Sequence, residues 1–252
     1  MKIHFNASNH DLARIRLQQL LELYGDCAID DATHIVALGG DGHMLNVLHE
    51  TINSGLPVFG MNCGHLGFLM NHYASAELPE RLAAAEAATL HPLRMTATGM
   101  DNKTHEALAI NEVSLLRQTH NAAHINIAVD GKDKLEQLIC DGVLLATPVG
   151  STAYNLSAHG PVIPLGTELM ALTPISPFRP RRWRGALLPE TSAVELTNLA
   201  PDFRPVSVSA DSTEFRNVKS VSIVQARDIA LNLLYDPGFS LADRAIQEQF
   251  LV

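Results

Sequence analysis

A single carboxylate lies among three glycines in the stretch ALGGDGHMLNVL, which begins at Ala37. Gly39, Gly40 and Gly42 surround Asp41 directly after an apolar run and directly before a helical pattern. Glycines in such a turn let backbone N–H groups face phosphate oxygens, and the helix N-terminus adds a favourable partial charge. The pattern therefore predicts a turn that binds a phosphate-bearing ligand where a strand ends and a helix begins. The alternative is that Asp41 only caps the helix.

Two further motifs carry polar or aromatic groups at strand ends. The loop NCGHLGFL, which ends with Phe68 and Leu69, follows a predicted strand and could form a pocket wall; the alternative is a tight turn covered by a core Phe. Asn111 and Glu112 lie side by side in the apolar strand AINEVSL. Because neighbouring strand residues face opposite sides, the alternative there is one exposed and one hydrogen-bonded side chain.

The fourth motif is the stretch DGVLLATPVGSTAYNLSA, which begins at Asp141. A buried apolar strand runs into a Pro-Gly turn, and hydroxyl groups and an Asn follow. Hydroxyl and free N–H groups after a strand suit ribose, phosphate or base edges. Helix capping by Ser and Thr is the alternative, although the density of small polar groups exceeds what capping needs.

The elements that must position these motifs change in type along the chain. Strands are predicted at Lys2–Asn6, His34–Leu38 and Pro57–Met61, and helices at Leu12–Tyr24, His43–Asn53 and Glu77–Ala88. This alternation predicts a parallel, Rossmann-like α/β domain over residues 1–92. From Leu93 onward the apolar residues alternate, which predicts an antiparallel β-sandwich domain over residues 93–237 that includes the pattern Ile229, Leu231, Leu233. A helix at about 238–252 is expected to pack back on the first domain.

Composition excludes several classes of protein. The 252 residues have a formal net charge of −9, which argues against binding to a nucleic-acid backbone. No apolar run is long enough to span a membrane, so no membrane partner is expected. The three cysteines have neither a metal-ligand spacing nor a disulfide pattern, which predicts reduced thiols in the cytoplasm.

In this order and spacing, GGDG, NCGHLGFL, NE and DGVLLATPVGSTAYN resemble the motifs of NAD kinases of the bacterial and archaeal type. The resemblance runs from about Ile35 to Ser212. It implies that a phosphoryl group passes from ATP, or from polyphosphate, to the 2′-hydroxyl of the adenosine ribose of NAD, giving NADP. It also implies Mg²⁺ or another divalent cation, NAD and ATP as small-molecule partners, and a homodimer or homotetramer.

The resemblance implies a role for each matched residue. Asp41 corresponds to the aspartate that acts as base or orienting group for the 2′-hydroxyl, so it is the predicted catalytic residue. Gly39 and Gly40 are predicted to bind phosphate, and no residue is predicted to bind the metal. The predicted substrate-binding residues are Gly42, Phe68, Leu69, Asn111, Glu112, Asp141, Thr152, Ala153, Tyr154 and Ser157. Since these residues fall in both predicted domains, we expect both to contribute to the site.

The chain departs from the family pattern at several positions. Val149 replaces the usual Thr, and His43 stands where Asn or Thr is common. The later aspartate, commonly followed by Gly-Gln, is here Asp211, in the sequence Asp-Ser-Thr. The segment PFRPRRWR, which ends at Arg184, is richer in arginine than usual. It could hold phosphate or a carboxylate of a neighbouring subunit, or it could be a solvated loop stacked on Trp183.

Two other functions compete with this interpretation. Other kinases that act on lipids or sugars share the GGDG motif, but the NE pair and the GSTAYN block count against them. A non-catalytic dinucleotide sensor would keep the pocket without the chemistry, and the intact Asp41 argues against it.

Overall fold

The computed structural model describes residues 1–64 and 67–238. The chain divides into two compact units: Met1–Leu90 together with the chain from Asp228 onward form the first, and His91–Arg227 form the second. The helix predicted at about 238–252 lies outside the described residues, apart from Gly238.

The first unit is built on one five-stranded sheet with the order β1-β2-β3-β17-β4. Its strands are β1 (Ile3–Ala7), β2 (His34–Gly39), β3 (Val58–Asn62), β4 (Glu86–Leu90) and β17 (Leu231–Tyr235). Its α-helices are α1 (Asp11–Tyr24), α2 (Asp41–Glu50) and α3 (Leu78–Ala84), and a short 3₁₀ turn covers Ile29–Asp31. β1, β2, β3 and β17 pair in parallel, and β4 pairs antiparallel with β17. The predicted parallel α/β class is confirmed.

Burial explains why this sheet forms from these residues. In β2 every residue after His34 is buried, as expected for a strand covered on both faces. Helix α1 buries Ala13 and Leu20 and ends at Tyr24. Its C-cap residue is Gly25, whose φ of 70° is readily adopted by glycine and whose N–H donates to the carbonyl of Leu21.

Two features of this unit differ from the sequence predictions. A helix is predicted across Glu77–Ala88, but α3 ends at Ala84 and the following residues form β4. β4 pairs with β17 along its whole length, so hydrogen bonds to a distant strand outweigh the helix propensity of alanine. The strand predicted around Leu231 does form, but as β17 it pairs with β3 and β4 and not with the β-rich domain, so that assignment was wrong.

The second unit contains two six-stranded sheets, with the orders β12-β11-β10-β7-β14-β15 and β6-β5-β16-β13-β8-β9. The first sheet is formed by β7 (Glu112–Arg117), β10 (Gly142–Ala146), β11 (Leu169–Ile175), β12 (Ala186–Pro189), β14 (Val206–Ala210) and β15 (Thr213–Phe215). The second is formed by β5 (Leu93–Gly99), β6 (Thr104–Ala109), β8 (Ala123–Val129), β9 (Lys132–Cys140), β13 (Val194–Asn198) and β16 (Val218–Gln225). A 3₁₀ turn, Gly150–Thr152, and the one-turn helix α4 (Tyr154–Ser157) follow β10.

All pairs in these two sheets are antiparallel, and one buried cluster takes residues from both. It includes Val113 and Leu145 of the first sheet and Leu196 and Ile223 of the second. Side chains of facing sheets that meet in one core define a sandwich, so the predicted antiparallel β-sandwich is confirmed.

Helices of the described residues are short. The longest, α1, has 14 residues, and no helix in this part of the chain combines the length and apolarity needed to cross a membrane.

Candidate active site

The GGDG turn connects a buried parallel strand to a helix. β2 ends at Gly39, Gly40 is the N-cap residue of α2, and Asp41 is the first residue of the helix. The neighbouring strand β3 ends at Asn62, which is the register partner of Gly39. The N–H of Cys63 donates to the carbonyl of Gly39 at 2.7 Å. The two motif loops therefore start together at the carboxyl edge of the sheet, where open α/β sheets bind ligands.

The carboxylate of Asp41 holds the second loop. Its Oδ2 accepts the backbone N–H of Phe68 at 2.8 Å, and its Oδ1 accepts that of Leu69 at 2.9 Å. Both bonds go to the second loop and not to α2, so the alternative that Asp41 only caps the helix is wrong. A carboxylate has about four acceptor positions, so two N–H bonds leave capacity for a ligand hydroxyl.

The glycines around Asp41 fall into two groups, which differ in the space available for a side chain. A Cβ on Gly67 would lie 2.2 Å from Oδ1 of Asp41, and a Cβ on Gly39 would lie 2.7 Å from the Cβ of His43. These two positions are glycine because a side chain packs directly on them. A Cβ on Gly40 or Gly42 would meet no atom within 4 Å. The space is therefore open where a side chain at either neighbour of Asp41 in the chain would stand.

A buried asparagine fixes the far end of the same loop. The Nδ2 of Asn71 donates to the carbonyls of Gly60 and Leu234, both at 3.0 Å, and its Oδ1 accepts the N–H of Asp236 at 3.0 Å. The loop is thus tied at one end to Asp41 and at the other to β3 and the chain around β17. Within it, Phe68 is partly exposed and Leu69 is buried. Asn71 lies outside the matched motif, and sequence reasoning missed it.

In the second unit, the backbone of the NE segment is held from two sides. The carboxylate of Asp211 accepts the N–H groups of Ile110, Asn111 and Glu112 at 2.6, 3.0 and 3.2 Å. On the other side, Thr147 donates its hydroxyl to the carbonyl of Ile110 at 2.7 Å and its N–H to that of Asn111 at 2.9 Å. Both Asp211 and Thr147 were absent from the predicted site.

Glu112 has an unusual electrostatic environment. Burial, and next the negative charge of Asp211, raise the pKa of Glu112 to about 7, although a hydrogen bond from the N–H of Tyr154 opposes the increase. Within the described residues its Oε2 is buried without a hydrogen-bond partner. Buried polar atoms are nearly always hydrogen-bonded, and a ligand hydroxyl or amine could donate a hydrogen bond to this oxygen.

Polar groups of the GSTAYN block mostly stabilise the block itself. Ser151 donates its hydroxyl to Pro148 at 2.6 Å, and Thr152 donates to Val149 at 3.1 Å. Asn155 is fully buried, with Nδ2 donating to the carbonyl of Ser151 at 3.0 Å and Oδ1 accepting the hydroxyl of Thr173 at 2.6 Å. Much of the polar density of this block therefore builds the turn.

Tyr154 connects this block to two acidic residues. Its ring packs against a small apolar cluster that includes Leu144 and Ala146. Burial raises the pKa of Tyr154, and the charges of Glu112 and Asp141 raise it further. Tyr154 also lines a cleft of about 230 Å³ together with Ser157, Trp183 and Arg184.

Asp141 lies at the opposite end of the strand pair from Glu112. Glu112 pairs with Ala146 at one end of the β7–β10 ladder, and Leu116 pairs with Gly142 at the other. There Oδ1 of Asp141 accepts Nε of Arg117 at 2.6 Å. The structure thus brings Asn111, Glu112 and the GSTAYN block together, while Asp141 reaches this group through its charge on Tyr154.

The arginine-rich segment stacks on Phe178. The guanidinium carbons of Arg179 and Arg181 lie 5.6 and 5.2 Å from the centroid of that ring. Trp183 packs against the sandwich core, and the four arginines of the segment are exposed, which is compatible with a solvated loop.

Comparison with known proteins shows the family. A model described as the ATP-NAD kinase N-terminal domain matches residues 5–88, and one described as the ATP-NAD kinase C-terminal domain matches residues 110–225. A Hyphomonas neptunium protein named NAD kinase is 52% identical over 250 residues, which cover 99% of this chain and 98% of the relative. A Caulobacter vibrioides NAD kinase is 52% identical over 249 residues, covering 99% and 96%. This chain belongs to the NAD kinase family. It is therefore a phosphotransferase.

Solved structures of the NAD kinase family share this fold. The yeast NADH kinase complexed with NADH superposes with a TM-score of 0.84 at 20% identity, covering 99% of this chain and 87% of that one. An NAD kinase from Archaeoglobus fulgidus in complex with ATP gives 0.78 at 22% identity, covering 99% and 97%. At these identities the likeness shows the fold.

The described side chains provide no protein cage for the Mg²⁺ that membership of the NAD kinase family suggests. Nowhere in residues 1–64 and 67–238 do three or more His, Cys, Asp or Glu side chains gather as metal ligands. Mg²⁺ in phosphoryl-transfer sites is usually held by substrate phosphates, waters and one or two carboxylates. We therefore assign no described residue as a metal ligand.

Proposed function

We propose that this chain transfers a phosphoryl group from ATP to the 2′-hydroxyl of the adenosine ribose of NAD, giving NADP and ADP. The observation that carries the proposal is the placement of Asp41: a carboxylate fixed at the first residue of α2, beside glycines that leave open space. The relatives, which are named NAD kinase, support NAD as the acceptor.

In the proposed reaction Asp41 acts on the acceptor hydroxyl. The 2′-oxygen forms a bond to phosphorus while the bond between that phosphorus and ADP breaks, and the hydroxyl proton passes to the Asp41 carboxylate. Two backbone N–H bonds hold the carboxylate still, so it need not reorganise when the hydroxyl arrives. Its remaining acceptor positions can receive the hydroxyl proton.

The GGDG turn is proposed to hold phosphate. The N-terminus of α2, a helix of 10 residues, provides N–H groups and a positive partial charge beside Gly39 and Gly40. A divalent cation bound to the phosphates would neutralise part of their charge. Positioning and charge compensation of this kind are most of what phosphoryl transfer requires of a protein.

The remaining predicted residues are proposed to bind the dinucleotide. Asn111 and Glu112 offer an amide and a carboxyl group to adenine and ribose hydroxyls, and Tyr154 offers a ring beside them. Phe68 and Leu69 are proposed to line the adenine pocket. Gly42, Asp141, Thr152, Ala153 and Ser157 keep the substrate-binding roles that the motif predicts.

The deciding experiment is an end-point assay with the purified protein, Mg²⁺ and NAD. ATP or polyphosphate is added in parallel reactions, and NADP is measured; NADH replaces NAD in a second set. We expect NADP in the reaction with ATP. Absence of NADP with either donor would contradict the proposal. NAD binding without NADP would then indicate a dinucleotide sensor, and phosphorylation of a lipid or sugar in a substrate panel would indicate another GGDG-type kinase.

Two further expectations accompany this function. We propose a homodimer or homotetramer, which light scattering on the purified protein would test. We also propose that the protein works in the cytoplasm, which fractionation of cells would test.

A further inference from the structure

The turn between β14 and β15 contains a carboxylate that the proposed reaction does not use. Asp211 lies at this turn with φ of 48°, in the left-handed region that Asp and Asn tolerate better than most residues. Its two oxygens accept N–H groups from three consecutive residues, Ile110, Asn111 and Glu112. Its own N–H donates to the carbonyl of Glu112 at 3.1 Å.

These bonds, with those of Thr147, immobilise the backbone that carries the NE pair. The N–H groups from Ile110 to Glu112 bind Asp211, the carbonyls of Ile110 and Asn111 bind Thr147, and the carbonyl of Glu112 binds Asp211 again. Gly150 closes the same side, because a Cβ there would lie 2.0 Å from the carbonyl oxygen of Asn111. The backbone groups are thus fully used, and what remains available to a ligand is the side chains of Asn111 and Glu112.

We propose that Asp211 is a positioning residue of the nucleotide site, because its carboxylate fixes the backbone from which Asn111 and Glu112 reach the dinucleotide. The inference rests on the proposed function for its ligand, NAD. Asp211 acts through Asn111 and Glu112 and makes no contact with the ligand itself in this account. Hydrogen bonds from N–H groups to a carboxylate are stronger than neutral ones, which suits a charged residue for this task.

The position of Asp211 also has an electrostatic consequence. In the second unit the titratable groups that act on Glu112 are Asp211, from the β14–β15 turn, and Tyr154, from α4. The charge of Asp211 disfavours ionisation of Glu112. Loss of that charge should therefore lower the pKa of Glu112. A residue that merely stabilises the hairpin would leave the titration of Glu112 unchanged.

Three variants separate these effects. Asp211→Asn keeps the left-handed turn but removes the charge, and places an NH₂ group against one or more of the N–H donors. Asp211→Glu keeps the charge but moves the carboxylate away from the three N–H groups. Glu214→Gln is the matched control, because it removes a negative charge from the same hairpin at an exposed residue.

Two measurements are made on each protein. Calorimetry gives the Kd for NAD. A pH titration of the ligand-free protein by carboxyl ¹³C NMR gives the titration midpoint of Glu112, whose signal is identified by its loss in Glu112→Gln. We expect Asp211→Asn to weaken NAD binding by about tenfold or more and to lower the Glu112 midpoint. We expect Asp211→Glu to weaken binding while the Glu112 midpoint stays close to the wild-type value. Glu214→Gln should change neither quantity.

Several results would overturn the inference. NAD affinity and a Glu112 midpoint equal to wild type in Asp211→Asn would show that Asp211 neither positions nor tunes the pair. A lower melting temperature with both quantities unchanged would show a purely structural role. If Asp211→Asn does not fold, Asp211→Glu decides, since wild-type NAD affinity there would contradict positioning. Failure of the proposed function is distinguishable, because the wild-type protein would then form no NADP, whereas the NMR titration, and the NAD affinity if the wild-type protein still binds NAD, would report on Asp211 and Glu112.

Discussion

Two aspartates, one in each unit, use the same hydrogen-bonding device in different surroundings. Asp41 accepts two consecutive backbone N–H groups, and Asp211 accepts three. Asp41 lies at a helix N-terminus between two glycines with open space at their Cβ positions, whereas Asp211 lies in a hairpin turn close to the carboxyl group of Glu112. The comparison indicates that a carboxylate can anchor a loop without acting on a ligand. Spare acceptor positions and its place at the N-terminus of α2 make Asp41 the candidate for chemistry.

The largest effect is expected for Asp41→Asn, which tests whether Asp41 acts on the ligand or only anchors the loop. We expect Asp41→Asn to lower kcat by about 10²–10⁴-fold, the range typical for loss of a positioned base. The NAD affinity should fall less, because an amide can still hydrogen-bond a ribose hydroxyl. Steady-state kinetics and the melting temperature on one preparation provide the measurement. Since Asn offers one acceptor oxygen to two N–H groups, some order of the Phe68–Leu69 loop will also be lost.

A control variant accounts for that loss of loop order. Gly67→Ala would place a methyl group about where Oδ1 of Asp41 now lies, because the Cβ would be 2.2 Å from that atom. It disturbs the contact between carboxylate and loop while keeping the carboxylate. We expect a smaller loss of kcat than in Asp41→Asn. Equal losses in the two variants would make Asp41 a loop anchor and remove it from the chemistry.

The same comparison shows which part of the site the sequence could predict. Asp41 can be predicted as a candidate because its signal is local: glycines and an acidic residue between a buried strand and a helix. The clamp of Asp211 joins residues about 100 positions apart, and it depends on a strand register that no local pattern encodes. The departure from Asp-Gly-Gln to Asp-Ser-Thr drew attention to Asp211, but its role required the hydrogen-bond geometry.

The fold was predictable to a similar extent. The alternation of strands and helices and the change to period two gave both classes correctly, because burial imposes those periods on the sequence. The helix predicted after Ala84 was wrong because the chain there forms β4, which owes its conformation to pairing with β17, more than 140 residues away. Non-local pairing of this kind overrides the local propensity of alanine.

The next prediction concerns the neighbour of Asp211 and the dependence of stability on pH. The pKa of Glu112 is raised from 4.5 to about 7 on folding. Because its pKa is raised, Glu112 contributes stability that is fully present below about pH 4.5 and is lost as the pH rises through about 7. The side chain of Glu112→Gln cannot ionise, so the variant escapes this loss. The free energy of unfolding of the variant minus that of wild type should therefore be more favourable to the variant at pH 8 than at pH 5, by on the order of 2 kcal/mol. Denaturant unfolding at the two pH values measures this difference.

Asp211→Asn sharpens this result. Because it removes a charge that raises the pKa of Glu112, the stability gained by adding Glu112→Gln at pH 8 should be smaller in the Asp211→Asn background. The same gain at pH 5 and pH 8 in an otherwise wild-type chain would contradict a raised pKa for Glu112.

The smallest expected effect concerns Tyr154, which lies between the charges of Glu112 and Asp141. Tyr154→Ala should raise the KM for NAD by about fivefold or more, since loss of a ring contact is worth on the order of 1 kcal/mol. The ring also packs against Leu144 and Ala146, so some stability will be lost with it. Tyr154→Phe is the matched control, because it keeps the ring and removes the hydroxyl. If the ring binds the nucleotide, Tyr154→Phe keeps a KM near wild type while Tyr154→Ala does not. A folded Tyr154→Ala variant with unchanged KM and a lower melting temperature would mean that Tyr154 serves only to pack α4 against β10.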